Sequence, residues 1–423
     1  MTNKSAVAQC ITSPRLNVER LLERFVSYVQ VDSAANPNSS CYPSSEGQRE
    51  LGAILCQELS AMGIEDAHQD ENGLVWATVP ATVPGETPTV CLCSHVDTSP
   101  EAPASGVKPQ VVRYDGGDIA LASGDIITES EIPRELKGTR LITTDGSTLL
   151  GGDDKAGVAI IMEVAETLME RPDLQRGPVR VLLTCDEEIG HGTDKIDLKK
   201  VDAAVAYTID GGDHGVIDVE TFSADGATVT FSGYNIHPAI GKDKMINAVR
   251  AAAELVARLP KDHQSPETTD GRDGFIHPYA IEGGVAEASV KMILRSFESS
   301  DLNAYADQIR SIVAAILDET PGLSADVQIT RQYRNLHEGL QSLPESVEFA
   351  ERAFDQLGIA CKKEIIRGGT DGSQLTEKGL PTPNLSSGQH NIHSIKEYAC
   401  LDEMVIAGEH LIELLDLWAG QSR

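Results

Sequence analysis

The sequence predicts an α/β fold with a doubly wound, largely parallel core that is interrupted by a smaller α+β domain. Apolar, β-branched-rich strands alternate with helices up to about residue 218, and this alternation resumes from Glu345, which is typical of a buried parallel sheet. Between these parts the strands alternate apolar and polar residues, as in a sheet with one face in water. A chain of 423 residues has room for two or three domains of roughly 150 residues each.

Apolar residues at three- and four-residue spacing indicate the helices of the core, and short β-branched runs indicate its strands. The predicted elements are, in chain order, helices Asn17–Gln30 and Glu46–Met62, strands Gly73–Val79 and Thr89–Cys93, helix Lys155–Glu170, and strands Val179–Thr184 and Ala203–Ile209. The stretch from about Ser99 to Leu141 is rich in Gly, Pro and Asp. A stretch of this length and composition indicates a long functional excursion from the core.

The inserted domain is predicted from three alternating runs and two helices in β-α-β-α-β order. These are strand Ala227–Gly233, helix Met245–Leu259, strand Val285–Ser296, helix Leu302–Leu317 and strand Asp326–Leu336. We therefore expect a discontinuous core domain, 1–218 and 335–423, and an inserted domain, 219–334. The residues before Asn17 form an extension of no evident role.

Charge and cysteine content argue against some classes of protein and indicate a cellular compartment. Lys plus Arg number 35 and Asp plus Glu number 65, a formal charge of −30, which argues against nucleic-acid and anionic-membrane binding because both need basic surfaces. No apolar run approaches the roughly 18–20 residues of a membrane span, and we find no secretory signal. The eight cysteines include no CxxC pair. We therefore expect a reduced, cytoplasmic compartment.

Histidine or acidic residues follow five predicted strands. These segments are Ser94–Asp97, Gly152–Lys155, Cys185–Glu188, Thr208–Gly211 and His390–His393. Ligand sites in open α/β sheets lie outside the carboxyl ends of the strands, so the five segments predict one shared site. The alternative, that each is an independent solvated cap, requires several coincidences in one sheet.

The chemistry that fits these residues is a two-metal site. Imidazole and carboxylate together suit zinc, and two neighbouring metals need a bridging carboxylate. Residues i and i+2 of a strand share a face, so Asp97 can orient His95 as a supporting carboxylate. The residue pattern alone leaves three choices open: Asp153 or Asp154, Glu187 or Glu188 as ligand or base, and His390 or His393.

Longer motifs surround these residues. They are Ser94–Pro100, Leu150–Gly157, Asp186–Glu188, Asn235–Pro238 and Ile366–Gly372. These motifs resemble those of the peptidase T family of cytoplasmic tripeptide aminopeptidases, in the dizinc exopeptidase clan that includes carboxypeptidase G and the aminoacylases. Two further segments, Gly116–Leu121 and Thr143–Gly146, resemble this family and are lacking in the wider clan. The resemblance extends from about residue 17 to the C-terminus.

The resemblance implies a zinc-exopeptidase core, a lid domain that forms a homodimer, and two zinc ions per subunit, for which cobalt or manganese can substitute. The implied metal and catalytic residues are Asp153 as the bridging carboxylate, His95 and Asp210 at one zinc, Glu188 and His393 at the other, Glu187 as general base and Asp97 as support for His95. The implied substrate-binding residues are His237, Arg295 and Arg367. His237 resembles a histidine that reaches the partner subunit's site, and the arginines resemble groups near the substrate carboxylate.

The function predicted on this basis is removal of the N-terminal residue from tripeptides. The alternative within enzymes is a dizinc carboxypeptidase or N-acyl-amino-acid deacylase with the same core, which only pocket contacts would distinguish. A binding protein that has lost catalysis would typically lack the base, and Glu187 is present. One departure from the family is Gly152, where alanine is usual.

Overall fold

The computed structural model describes residue 7 and residues 13–421; residues 1–6 and 8–12 of the predicted extension lie outside the described part. The chain divides into two compact units. The core unit comprises Met1–Val219, Glu338–Glu364 and Thr370–Arg423, and the inserted unit comprises Glu220–His337 and Ile365–Gly369. The sequence-based division places Ile365–Gly369 in the core domain, and that division stays a prediction. This segment joins the inserted unit because the Phe222 N–H donates to the carbonyls of Ile366 and Gly368.

Helices and strands alternate through the first part of the chain. They are α1 (Val18–Val29), α2 (Glu46–Ala61), β1 (His68–Gln69), β2 (Val75–Val79), β3 (Val90–His95), β4 (Gln110–Arg113), β5 (Ile119–Ala120), β6 (Ile126–Ile127), β7 (Arg140–Thr143), α3 (Gly152–Glu170), β8 (Val179–Thr184), α4 (Leu198–Val201), β9 (Val205–Gly211) and β10 (Val216–Thr221). The excursion between β3 and β7 thus contains short strands of its own.

The inserted unit and the return to the core follow in the second part. The elements are β11 (Ser223–Ser232), α5 (Ala248–Arg258), β12 (Phe275–Gly283), β13 (Glu287–Ser296), α6 (Ser299–Glu319), β14 (Ser324–Tyr333), α7 (Leu336–Leu340), α8 (Glu345–Leu357), β15 (Lys362–Ile366), α9 (Asp371–Glu377), β16 (Asn384–Ser386), β17 (Gln389–His390), β18 (Tyr398–Cys400) and α10 (Leu401–Ala419).

An eight-stranded sheet forms the centre of the core, in the order β1-β2-β8-β3-β9-β16-β10-β15. Its four central strands, β8, β3, β9 and β16, are parallel, whereas β1, β2 and β10 pair antiparallel with their neighbours. The predicted α/β class is confirmed. Because the central strands are parallel, the carboxyl ends of β3, β8 and β9 meet at one edge of the sheet.

Helix α3 packs against β3 and β9 and is buried from Gly152 to Ala165. A helix enclosed in this way is apolar on all sides, which fits its Ala, Val and Ile content. At Gly157 a β-carbon would lie 2.0 Å from the Ile209 carbonyl oxygen, so glycine is required for this close approach. Asp153 and Asp154 have non-helical backbone angles, so regular helix begins at Lys155, as predicted.

The inserted unit contains an antiparallel four-stranded sheet in the order β12-β13-β11-β14. Alternate residues of β13 are buried, and α5 and α6 pack against this sheet. Strand β12 was not predicted. It contains Pro278 and lies at the edge of the sheet, where proline is tolerated. The predicted strand Asp326–Leu336 ends at Tyr333, and Leu336 begins α7.

Within the described part of the chain, none of the helices is both long enough and apolar enough to traverse a lipid bilayer.

Candidate active site

Two groups of potential metal ligands lie at the carboxyl ends of the parallel strands. The first group is His95, Asp153 and Asp210, and the second is Asp153, Glu188 and His393; in each group one ligand atom per residue lies within 4.8 Å of the others. Asp153 belongs to both groups. A carboxylate shared in this way can bridge two cations.

The distances around Asp153 show how the groups meet. Asp153 Oδ1 lies 3.0 Å from His95 Nε2, and Asp153 Oδ2 lies 3.1 Å from His393 Nε2. The same nitrogen of His393 is 2.9 Å from Glu188 Oε2, and His95 Nε2 is 3.9 Å from Asp210 Oδ1. Each oxygen of Asp153 therefore faces a different histidine.

Asp97 links the first group to the turn that carries Glu187 and Glu188. Its two carboxylate oxygens accept the backbone N–H groups of Glu187 and Glu188, each at 3.1 Å. His95 Nδ1 lies 3.1 Å from the Asp97 backbone carbonyl oxygen and 3.4 Å from Asp97 Oδ1. Asp97 thus orients His95 and fixes the acidic turn at the same time.

Glu187 differs from Glu188 in its surroundings. Glu187 belongs to neither three-residue group among the described residues, and its Oε2 lies 3.9 Å from His95 Nε2. It therefore lies beside the first ligand group without belonging to either group.

The acidic turn begins with Asp186 in a left-handed conformation, with φ of 62°. An aspartate tolerates this region better than most residues. Its buried carboxylate accepts hydrogen bonds at 2.7 Å from the Ser44 backbone N–H and the Gln48 side-chain amide. These contacts with the N-terminal part of the core hold the backbone where it reverses before Glu187.

The pKa values reflect crowding of buried acids. Burial raises the pKa of Glu187 and of Asp210 well above the ordinary range, and burial together with the Asp153 charge raises the pKa of Glu188 to about 7. Hydrogen bonds with Asp153 and Glu188 raise the pKa of His393 to about 11. The site therefore favours positive charge, which a cation supplies.

One buried atom indicates where a cation fits. Glu188 Oε1 is buried and accepts no hydrogen bond from the described residues. A buried carboxylate oxygen without a partner is costly, and metal coordination would satisfy it. Imidazole and carboxylate ligands in this combination fit zinc and other divalent transition metals.

The structure adds residues that the sequence interpretation did not assign. Asp154 is buried, and its Oδ2 accepts the His95 backbone N–H at 3.3 Å. Asp371 is also buried and accepts from the Thr184 hydroxyl at 2.7 Å, and burial raises its pKa to about 6. Asp371 lies in the motif Ile366–Gly372, so the signal was present in the sequence.

His390 belongs to a separate cluster. Its Nε2 lies 2.6 Å from Glu403 Oε2, and its Nδ1 lies 3.3 Å from Asp213 Oδ1. Glu403 Oε1 lies 2.7 Å from His214 Nδ1. Asp213, His390 and Glu403 form a third group whose ligand atoms lie within 4.8 Å of one another. Both nitrogens of His390 and both oxygens of Glu403 already have partners within the cluster, which we interpret as a structural hydrogen-bond network.

The three predicted substrate-binding residues belong to the inserted unit. His237 is exposed, and its Nδ1 accepts the Ala239 N–H at 3.2 Å. Arg295 donates to the Leu294 carbonyl at 2.9 Å and lies over the Tyr333 ring.

Arg367 is held more tightly than Arg295. Its guanidinium donates to the carbonyls of Gly271 and Asp273, at 2.9 and 3.0 Å, and to Thr269 Oγ1 at 3.1 Å. It also lies over the rings of Phe222 and Phe275. Arg367 therefore ties together the loop 269–273.

Comparisons with known proteins show which family the chain belongs to. A model of Peptidase family M20/M25/M40 matches residues 144–416. Peptidase T of Geobacillus thermodenitrificans is 42% identical over 405 residues, covering 95% of this chain and 98% of the relative.

Two solved structures share the fold. A tripeptidase from Staphylococcus aureus is 24% identical with a TM-score of 0.76, covering 96% of this chain and 100% of that chain. A dinuclear metal-binding peptidase from Bacillus subtilis is 14% identical with a TM-score of 0.64, covering 95% of this chain and 98% of that chain. The chain belongs to Peptidase family M20/M25/M40.

Proposed function

We propose that this protein is a metallo-aminopeptidase that hydrolyses the N-terminal residue from tripeptides. The observation that carries the proposal is the shared position of Asp153 in two three-residue ligand groups, in a chain 42% identical to a peptidase T. The structural relative from Bacillus subtilis is itself described as a dinuclear metal-binding peptidase. The carboxypeptidase and deacylase alternative is not favoured by these relatives.

The proposed cofactor is a pair of zinc ions per subunit, with cobalt or manganese able to substitute. His95, Asp153 and Asp210 would hold one ion, and Asp153, Glu188 and His393 the other. When bound, the ions supply Lewis-acid polarisation of the scissile carbonyl and lower the pKa of the attacking water. A homodimer formed through the inserted domain and a cytoplasmic location complete the proposal.

Glu187 is the proposed general base. Its carboxylate accepts the proton of the attacking water and passes that proton to the nitrogen of the departing amine. Asp97 supports this role because it holds the Glu187 backbone N–H at 3.1 Å. The turn is therefore fixed before substrate arrives.

His237, Arg295 and Arg367 are proposed to bind the substrate. Because His237 Nδ1 accepts the Ala239 N–H, the neutral imidazole carries its proton on Nε2, which can donate to the carbonyl oxygen as negative charge develops. The arginines would bind the peptide carboxylate, since guanidinium matches carboxylate geometry. For Arg367 this role requires exchange of contacts with the loop 269–273.

Removal of metal tests the function directly. We expect chelation to abolish hydrolysis of Ala-Ala-Ala, and zinc, cobalt or manganese to restore it, because the ligand groups need cations to activate water. N-acetyl-amino acids should remain uncleaved, as measured by release of free amine. Full activity in protein shown to be metal-free by elemental analysis would contradict the proposal. Faster cleavage of N-acetyl-amino acids than of tripeptides would favour the deacylase alternative.

Replacement of the proposed base separates the roles of the two glutamates. Glu187→Gln keeps the side-chain shape and removes the proton acceptor, so turnover should fall at least ~100-fold while two metals stay bound. Glu188→Gln should instead lose one metal. Metal content by elemental analysis and initial rates on tripeptide would show whether these roles are reversed.

Amidation of the substrate tests the arginines. A charge-assisted hydrogen bond contributes about 1.5–3 kcal/mol, so amidating the tripeptide C-terminus should raise KM by roughly 10-fold or more. In Arg295→Gln the difference in KM between the free and amidated peptides should become smaller, and it should disappear when Arg367 is replaced by Gln as well. Arg310→Gln, an exposed arginine of the same unit that pairs with Asp307, is the matched control. Equal KM values for both peptides in the wild type would exclude a carboxylate-binding role.

Subunit mixing tests whether His237 acts in the partner's site. Loss of an oxyanion donor typically lowers kcat about 10²–10³-fold, so His237→Ala should be nearly inactive. Glu187→Gln should also be nearly inactive because it lacks the general base. After subunit exchange of equal amounts, heterodimers contain one intact site of two, and about a quarter of wild-type activity should return. If labelled subunits exchange and activity stays absent, His237 does not act across the dimer.

A further inference from the structure

Glu397 is a buried acid that neither the ligand groups nor the proposed reaction uses. It is 1% exposed, and it lies four residues after His393. Its Oε2 accepts the backbone N–H groups of Leu150 and Gly151, at 2.7 and 2.8 Å, and its Oε1 accepts that of Asp153 at 3.1 Å. One carboxylate therefore holds three backbone N–H groups of the loop that presents Asp153.

The N–H groups that Glu397 accepts lie just before α3 and in its first residues, which precede the regular helix. The first N–H groups of a helix have no partner within the helix, and a carboxylate at this end is favourable because the helix dipole is positive there. Between these donors, a β-carbon at Gly152 would lie 3.2 Å from Glu397 Oε1. The backbone therefore approaches the carboxylate closely.

The segment that carries Glu397 also carries His393. The Glu397 N–H donates to the Ser394 carbonyl at 3.1 Å, and the Ser394 hydroxyl donates to the Asn391 carbonyl at 2.7 Å. These bonds make the segment a compact unit. At its other end, His393 Nε2 lies 3.1 Å from Asp153 Oδ2. His393 and Glu397 therefore both join this segment to the Asp153 loop.

We propose that Glu397 is a positioning residue that fixes the separation of Asp153 and His393, and through it the second metal site. The inference rests on the proposed dimetal site and adds a residue to its support. Glu397 itself would contact neither metal nor substrate. Its carboxylate acts through the backbone of the bridging ligand.

The two metal sites should depend on Glu397 to different degrees. His95 ends strand β3, and Asp210 lies within strand β9, which pairs with β3. The sheet therefore sets the relation between these two ligands of the first site. His393 lies outside any strand, with φ of 61°, so its relation to Asp153 depends on loop contacts, of which those of Glu397 are the best buried.

Zinc titration of metal-free protein tests the inference. In the wild type we expect two ions per chain, and His393→Gln and Asp210→Asn identify which binding step belongs to which site. Glu397→Gln keeps the side-chain volume but replaces one acceptor oxygen with a donor. It should weaken the second site by ~10-fold or more, as loss of a supporting partner of a metal ligand typically does, and leave the first site nearly unchanged. The visible spectrum of cobalt-loaded Glu397→Gln should differ from that of the wild type because the ligands of the second site are displaced.

The matched control is Glu409→Gln. Glu409 is 2% exposed and accepts the backbone N–H groups of Arg15 and Leu16, at 2.5 and 3.1 Å, so it is also a buried acid that holds backbone donors. The Glu409→Gln protein should bind both zinc ions with the affinities of the wild type. If Glu397→Gln does not fold, Glu397→Asp, which keeps the charge on a shorter side chain, should show the same selective loss.

Two results would overturn the inference. The first is wild-type zinc affinity at both sites in folded Glu397→Gln or Glu397→Asp. The second is equal weakening of both sites, which would show that Glu397 does not act selectively on the second site. Failure of the wild type to bind two ions would instead refute the proposed dimetal function, so the two failures are distinguishable.

Discussion

The concentration of buried and partly buried carboxylates at one edge of the sheet is the constraint on which the rest of the site depends. The acids gathered there are Asp97, Asp153, Asp154, Glu187, Glu188, Asp210 and Asp371. Buried anions repel one another and lose hydration, and burial correspondingly raises the pKa values of Glu187 and Asp210. Such an arrangement is stable only if fixed hydrogen-bond donors and cations offset the repulsion.

Backbone N–H groups supply most of the fixed donors. Asp97 accepts from the acidic turn after β8, Asp186 accepts from Ser44, and Glu397 accepts from the residues that lead into α3. The buried ammonium of Lys155 is directed at the Val31 carbonyl, at 2.7 Å, rather than at the acids. The supporting carboxylates are thus bound by backbone dipoles, and the ligand groups themselves keep oxygens available for cations.

The sequence predicts the strands and the strand-end residues well because both depend on local signals. Buried parallel strands read as apolar runs, and the acids that follow β3, β8 and β9 share an edge for topological reasons. Glu397 could not be found in this way, because its partners lie 244 to 247 residues earlier in the chain. Strand β12 was not predicted for a different reason. It contains Pro278, and proline argues against a strand unless the strand is known to lie at the edge of a sheet. The assignment of His390 and His393 likewise required their three-dimensional neighbours.

The position of β16 between β9 and β10 has a consequence for synthesis on the ribosome. Strands β9 and β10 emerge close together, yet they cannot complete their pairing until Asn384–Ser386 has been made. At about 5–20 residues per second, the carboxyl-terminal strand follows β9 by roughly 10–35 s. The sheet of the inserted unit, whose strands are contiguous in the chain, is complete earlier. We therefore expect the nascent chain to hold a folded insertion while the core sheet is still incomplete. The exposed edges of the incomplete sheet would need protection by a chaperone.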